Sequence, residues 1–295
     1  MAAKMLKGLA LTVLVLLLGF LGFAWYIGAW NLVVPSTDHD RTPPVLPDDL
    51  AQPAILVFSK TNGFRHKDGI AGGQRAMKSI AKQWRYGLFL TENGAVFNQA
   101  DLARFQAVIF LNATGDMLSR EQEQAFEVWL EDGGGWLGIH AAGDGSHSGW
   151  PWYMDNLIGT DFTAHIMGPQ FQIAQVVTEN HDHPVNSGLD NVWEHEEEWY
   201  SWERSARAAG MRVLATVSED SYRPVQNLPG RQRDLSMGDH PISWSNCVGQ
   251  GRSVYTAIGH RAAAFDVPQV RRFLSNAVRW LIGDTTGGCP PANSG

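Results

Sequence analysis

Short, unbroken apolar runs alternate with segments whose apolar residues recur at helical spacing, and this alternation limits the possible folds more than any other feature of the chain. Ile55-Leu56-Val57-Phe58, Leu88-Phe89-Leu90, Ala107-Val108-Ile109-Phe110-Leu111 and Trp136-Leu137-Gly138-Ile139 contain no polar side chain. Strands of that kind have both faces covered, as in a parallel sheet. Between them, Ile70, Met77, Ile80, Ala81 and Trp84 share one helical face, and Ala125, Phe126, Trp129 and Leu130 share another. Ser119 and Gln122 are placed as a capping box for the second of these helices, and Gly133-Gly134-Gly135 ends it. Alternation of strand and helix implies right-handed crossovers and a doubly wound α/β domain. Residues 171–177, 213–217, 242–244 and 254–258 read as later strands that either extend the same sheet or add an antiparallel flap. A last helix is expected from Asp266, with Pro268 in its first turn.

The amino end obeys a different rule. No charged residue occurs from Gly8 to Ala29, and the apolar residues lie all round rather than on a stripe. About 20 residues of helix cross a bilayer. Lys4 and Lys7 precede the run while Asp38, Asp40 and Arg41 follow it, so the positive-inside bias leaves the bulk of the chain outside the cytoplasm. Trp25, Tyr26 and Trp30 occupy the zone where a cleavable signal carries small residues, which favours a retained anchor over residues 1–30. Residues 31–53, rich in Pro and Asp, read as an extended tether. The folded domain is expected over 54–284, followed by a flexible tail over 285–295. In an exported domain Cys247 and Cys289 either pair and fasten that tail, or remain a buried thiol and a free one. The expected location is membrane-anchored, with the domain in a periplasmic or extracellular space.

Composition enters as an exclusion. The formal net charge is −7 and no block of Lys or Arg occurs, so the electrostatic footprint of a nucleic-acid partner is missing. Twelve Trp and ten His exceed what packing needs and suit a sugar or metal-linked ligand.

Ligands of open α/β sheets bind beyond the carboxyl ends of the strands. Three such loops carry Gly with ionisable or amide side chains: Asn62-Gly63-Phe64-Arg65-His66, Asn112-Ala113-Thr114-Gly115-Asp116 and His140-Ala141-Ala142-Gly143-Asp144. One shared cleft is implied. His140 follows its strand at a sharp turn, where several hydrolase families expose a nucleophile; an imidazole there serves as general base, general acid or metal ligand. His165, Glu197-Glu198-Trp199-Tyr200, Asp239-His240-Pro241 and Gly259-His260 add polar clusters without zincin or zinc-finger spacing, so any metal site is assembled from distant segments. Imidazole with carboxylate suits zinc or a similar divalent ion as Lewis acid.

These motifs together resemble the ThuA-like (trehalose utilisation) domain of the class I glutamine amidotransferase-like superfamily. The resemblance runs from about Ala54 to Gly283 and rests on Gly63-Phe64-Arg65-His66, Phe110-Leu111-Asn112, Thr114-Gly115-Asp116, Gly138-Ile139-His140-Ala141-Ala142, Trp150-Pro151-Trp152-Tyr153, Glu197-Glu198-Trp199-Tyr200, Asp239-His240-Pro241-Ile242 and Gly259-His260. It implies a flavodoxin-like three-layer sandwich with a mostly parallel sheet, and puts His140 where amidotransferases carry Cys. With neither Cys247 nor Cys289 on that elbow, thiolate-dependent glutamine hydrolysis is not expected. It departs from the family at His165-Ile166, where members often read His-Pro, and at Glu197-Glu198, where they often read Asp-Glu.

The function expected is an enzyme acting on a disaccharide or keto-sugar by acid/base chemistry. His140, His66, His260 and Glu198 are its catalytic candidates, and the three imidazoles are its ligands for a divalent metal. Asn112, Asp116, Asp144, Trp152, Tyr153, Trp199 and His240 are the substrate-binding candidates. No nucleotide or flavin is expected. The alternative is a non-catalytic carbohydrate-binding or scaffolding module built on the same cleft.

Overall fold

A computed structural model describes residues 2–34, 36–228 and 230–289. The apolar helix α1 (Ala2–Ile27) and the single turn α2 (Trp30–Val33) come first. The alternating half follows as β1 (Ala54–Phe58), α3 (Lys67–Trp84), β2 (Gly87–Thr91), α4 (Gln99–Leu102), β3 (Ala107–Leu111), α5 (Arg120–Glu131), β4 (Gly135–Ile139) and α6 (Pro151–Tyr153). The second half is rich in strands: β5 (Phe162–His165), β6 (Gln172–Thr178), β7 (Val192–Glu197), β8 (Tyr200–Trp202), β9 (Arg212–Val217), β10 (Val225–Leu228), β11 (Arg231–Asp234), β12 (Pro241–Val248) and β13 (Gly251–Thr256), before α7 (Pro268–Leu281).

Nine strands form one sheet in the order β2-β1-β3-β4-β13-β12-β9-β6-β7. From β2 to β13 neighbours pair in parallel; from β13 to β7 they pair antiparallel. Antiparallel neighbours alternate in direction, so β12 and β6 oppose the other seven strands. The fold is mixed α/β with a large, mostly parallel central sheet. Of the two readings for the later strands the first holds: β13 joins β4 in parallel, and β12, β9, β6 and β7 extend the same sheet antiparallel.

Local chemistry explains the elements. All five residues of β1, of β3 and of β4 are buried, as unbroken apolar runs require. Burying a large apolar side chain contributes about 1.5–3 kcal/mol, and Trp136, Trp244 and Trp280 are each fully enclosed. Both bonds of the Ser119–Gln122 capping box are made. The last helix starts at Pro268 rather than Asp266, which lies in the preceding 3-10 turn; Pro has no N–H to leave unpaired in a first turn.

Two terminal segments are bound more firmly than the sequence implied. Residues 36–53 are extended, as expected of a tether, yet they lie against the domain: Lys60 Nζ meets Asp40 Oδ2 at 2.6 Å, Gly94 N–H donates to the same carboxylate at 2.8 Å, and Leu46 is buried. The tail is pinned by the Cys247–Cys289 disulfide and by Trp280 Nε1–H donating to Gly287 O at 2.7 Å. The rest of the expected flexible tail, 290–295, lies outside the described residues.

Candidate metal centre

His66, His140, Glu198 and His260 come from four widely separated segments, and each follows the carboxyl end of a strand running in the common direction. His66 precedes α3 after the β1 loop, His140 directly follows β4, Glu198 follows β7, and His260 follows β13. At the end of β7, the edge strand of the sheet, Glu197 Oε2 accepts Gly259 N–H at 2.8 Å and ties that end to the His260 loop. Gly69, in the first turn of α3, lets that helix press against the His260 loop; a Cβ there would stand 2.4 Å from Gly259 O and 2.6 Å from His260 O. Asn112 fastens the third side: its Nδ2 donates to Gly259 O at 3.2 Å and its Oδ1 accepts Ala141 N–H at 3.3 Å. His140 has φ +51° and Asn112 the same, a region costly for residues with a Cβ. Non-glycine residues held there concentrate at functional sites.

One candidate ligand atom from each of the four lies within 4.8 Å of every other. The rings of His66, His140 and His260 are 4.8–5.1 Å apart and nearly perpendicular in pairs, at 78–88°. His140 Nδ1 lies 2.7 Å from Ala257 O, an acceptor, so the proton is on Nδ1 and the neutral ring presents a bare Nε2. That Nε2 lies 3.2 Å from His260 Nδ1 and 3.5 Å from Glu198 Oε2; His260 Nδ1 lies 3.0 Å from the same oxygen. Nitrogen and oxygen ligands about 2.0–2.1 Å from a tetrahedral zinc stand about 3.3–3.4 Å from one another, close to the three edges among His140, His260 and Glu198, and the His66 atom lies within 4.8 Å of these. His66 adds a separate sign. Its Nδ1 is buried with no hydrogen-bond partner among the described residues, a costly arrangement that a metal would remove.

Electrostatics supports the same grouping. Burial, then the neighbouring His140 and His260, hold the His66 pKa well below that of a free imidazole. Burial alone would raise Glu198, but hydrogen bonds and charge from His140 and His260 outweigh it and keep the carboxylate ionised. Burial would lower His140; the Glu198 and Glu197 carboxylates and the Ala257 carbonyl reverse that and raise it. A neutral His66 and an ionised Glu198 are the forms in which these two groups bind a divalent ion.

Solvent reaches the cluster at the edges of His260 and His165, whose side chains are 17% and 22% exposed. His165 was left unassigned by the sequence. Its Nδ1 lies 3.1 Å from Glu198 Oε1 and 3.2 Å from Ile166 O, so Nδ1–H is directed to those acceptors and Nε2 remains bare. Gln170 Nε2 donates to the same Glu198 oxygen, and Tyr200 Oη lies 3.0 Å from His140 Nε2. Tyr200 belonged to a recognised motif, but nothing in a sequence separates a phenol aimed at an imidazole from one packed in a core.

The substrate-binding expectations fare less well. Tyr153 is fully buried and donates to Ala142 O at 2.6 Å. Trp199 is buried, its Nε1–H given to Gln172 O at 2.9 Å. Trp152 packs on Phe126 and donates to Glu131 Oε1 at 2.9 Å. His240 is buried between Tyr200 O and Glu219 Oε1, each 2.8 Å away, where it supports β8. Asp116 bonds His39 of the extended segment at 3.0 Å. Asp144 accepts Ser146 N–H at 2.9 Å behind the elbow, and burial raises its pKa. None of these six joins the four-residue cluster; Tyr153 and Trp199 are in the core and Trp152 packs half-buried against it, because their large faces have more to gain there. Asn112 joins it as a positioning group. A cavity of about 800 Å³ beside Gln106, Gly134 and Gln250 lies at the opposite, amino edge of the sheet.

The family model described as trehalose utilisation matches residues 54–281. The chain belongs to the ThuA family. A ThuA-like protein from Bacteroides uniformis is similar at 26% identity and a TM-score of 0.67, over 81% of this chain and 95% of that one. A ThuA-like protein from Parabacteroides merdae is 16% identical with a TM-score of 0.62, over 82% of this chain and 94% of that one, which speaks for the ThuA fold alone. A cytoplasmic protein from Salmonella typhimurium, at 12% identity and a TM-score of 0.51, shares the fold over 77% of this chain and 99% of its own. No curated protein matches the sequence.

Proposed function

We propose that this ThuA-family chain is a sugar-processing enzyme whose centre is a divalent metal, zinc or similar, held by His66, His140, His260 and Glu198. The observation that carries the reading is the convergence of His140, His260 and Glu198 at edges of 3.0–3.5 Å, with His66 within 4.8 Å of them and its Nδ1 without a hydrogen-bond partner among the described residues. A metal bound there supplies a Lewis acid for a sugar carbonyl or hydroxyl oxygen.

The chain's own groups supply the proton chemistry. A ketone on a sugar ring acidifies the adjacent C–H, so one base and one electrophile suffice for elimination or isomerisation. His165 Nε2, bare at the opening, is the base, and Glu198 Oε1 fixes its tautomer through Nδ1–H. Tyr200 donates to His140 Nε2 in the free protein and is placed to give a proton to an oxygen at the centre. His140 is fully buried, which favours the ligand role over the base role for it. Phe171, whose ring is 5.0 Å from that of His260 and carries the Arg261 guanidinium 3.9 Å over it, borders the centre.

A carbohydrate-binding module would use exposed aromatic faces, and Tyr153 and Trp199 are enclosed, so the catalytic reading is preferred. The strand order β2-β1-β3-β4-β13 supports a flavodoxin-like, three-layer class, with the centre at the carboxyl edge such sheets use. The disulfide and the apolar helix support an exported, membrane-anchored protein.

The test is turnover on a panel of disaccharides and their keto forms. His140→Ala is expected to abolish product formation while the Tm stays within a few degrees. An equally active variant, or tight binding by the wild type with no product over long incubation, overturns the enzymatic reading.

A further inference from the structure

Helix α1 does not leave the domain at an arbitrary point. Its carboxyl end is latched to the loop that carries His66. Arg65 N–H donates to Gly28 O at 2.8 Å, Asn31 Nδ2 donates to Thr61 O at 2.7 Å, and Lys67 Nζ donates to Trp25 O and Tyr26 O at 2.8 and 3.0 Å. Lys67 also stands 4.7 Å over the Trp25 ring. A cation on the last carbonyls of a helix is favoured by the helix dipole. The fit is close: a Cβ on Gly28 would lie 2.2 Å from Arg65 O, so no larger residue closes this contact.

The apolar surface is confined to this end of the molecule. The span Lys4–Ile27 is 24 residues, about 36 Å of helix against a hydrocarbon core of about 30 Å. Exposed apolar side chains continue past it through Trp30, Leu32, Val33 and Val34, whereas elsewhere they are single residues such as Val45, Val128 and Ile173. Trp25 and Tyr26, 64% and 74% exposed, lie at the depth where aromatic residues meet the head groups. His66 is one residue from Arg65 and Lys67, which hold that end of the helix.

We infer that the domain rests on the lipid bilayer through the carboxyl edge of its sheet, with the His66–His140–Glu198–His260 centre turned toward the membrane surface. The inference rests on reading α1 as a retained membrane span. The amino edge, with Gln250 in the β12–β13 turn, faces away.

The experiment uses the full chain in vesicles of phosphatidylcholine and phosphatidylglycerol carrying a lipid-linked fluorescence acceptor. Both cysteines are disulfide-bonded, so an introduced Cys is the one free thiol for a donor dye. Glu92→Cys labels the carboxyl edge beside Arg65, and Gln250→Cys labels the far edge. Strong loss of donor emission at 92 and little at 250 is expected. Gly28→Leu, which unlatches the helix, is expected to abolish the difference while the protein still floats with the vesicles. Equal loss at both positions of the latched protein, or greater loss at 250, overturns the orientation. Failure to float overturns the anchor itself, a distinct outcome. Neither readout depends on turnover, so the sugar chemistry stands or falls separately.

Discussion

His140 Nε2 lies 3.2 Å from His260 Nδ1, although the two residues are 120 positions apart. Two neutral imidazoles share one hydrogen bond at most, and the third ring, His66, brings a nitrogen with no partner at all. Polar groups gathered under cover without pairing cost stability unless something else satisfies them. The strained backbone at His140 and Asn112 points the same way, because such conformations persist where the surroundings impose them.

Tyr200→Phe tests the hydroxyl that meets His140. Phenylalanine fills the same buried space, so the Tm is expected to move by a few degrees at most. A lost proton donor lowers turnover about a hundredfold, while metal content stays unchanged. Parallel loss of metal and activity would assign Tyr200 to assembly of the centre instead.

His183 gives the chain a pH-dependent stability away from the centre. Burial first, then the charges of Arg212 and Arg252, lower its pKa to about 4. In the unfolded chain it returns to about 6.5, so between these values the unfolded state binds more protons and stability rises with pH. The contribution is present above pH 6.5 and is lost as pH falls toward 4. From pH 7 to pH 5 the wild type is expected to lose about 2 kcal/mol more than His183→Asn, measured by urea unfolding. Parallel pH profiles for the two proteins would remove His183 as the cause.

The Cys247–Cys289 bridge closes a loop of 42 residues across β12, β13 and α7. Chain entropy assigns such a loop about 4 kcal/mol. Cys289→Ser is expected to lower the unfolding midpoint accordingly and to free the segment after α7, with metal content intact. An unchanged midpoint would mean that the Trp280–Gly287 bond alone holds that segment.

Much of this was legible because it depends on local pattern. Unbroken apolar runs identified β1, β3 and β4, the rule that ligands bind beyond strand ends picked out His66 and His140, and His260 came from a polar cluster within a family motif. Glu198 was found through a motif, yet its approach to the centre depends on the end of the edge strand β7 meeting the His260 loop, which no spacing encodes. Trp199, Tyr153 and His240 carry both apolar and polar surface, so the sequence cannot say whether they face a ligand or a carbonyl in the core. Residues 36–53 looked free because they lack periodicity. They are held by individual bonds such as Asp40 with Lys60, and those leave no periodic trace.

The central claim is a metal held by His66, His140, His260 and Glu198, and metal stoichiometry tests it most directly. The full-length chain purified without chelator, stripped, and titrated with zinc is expected to bind one equivalent per chain by elemental analysis. His66→Ala and His260→Ala are expected to lose it while keeping the fold. No bound zinc in the wild type, or undiminished zinc in both variants, would contradict the account.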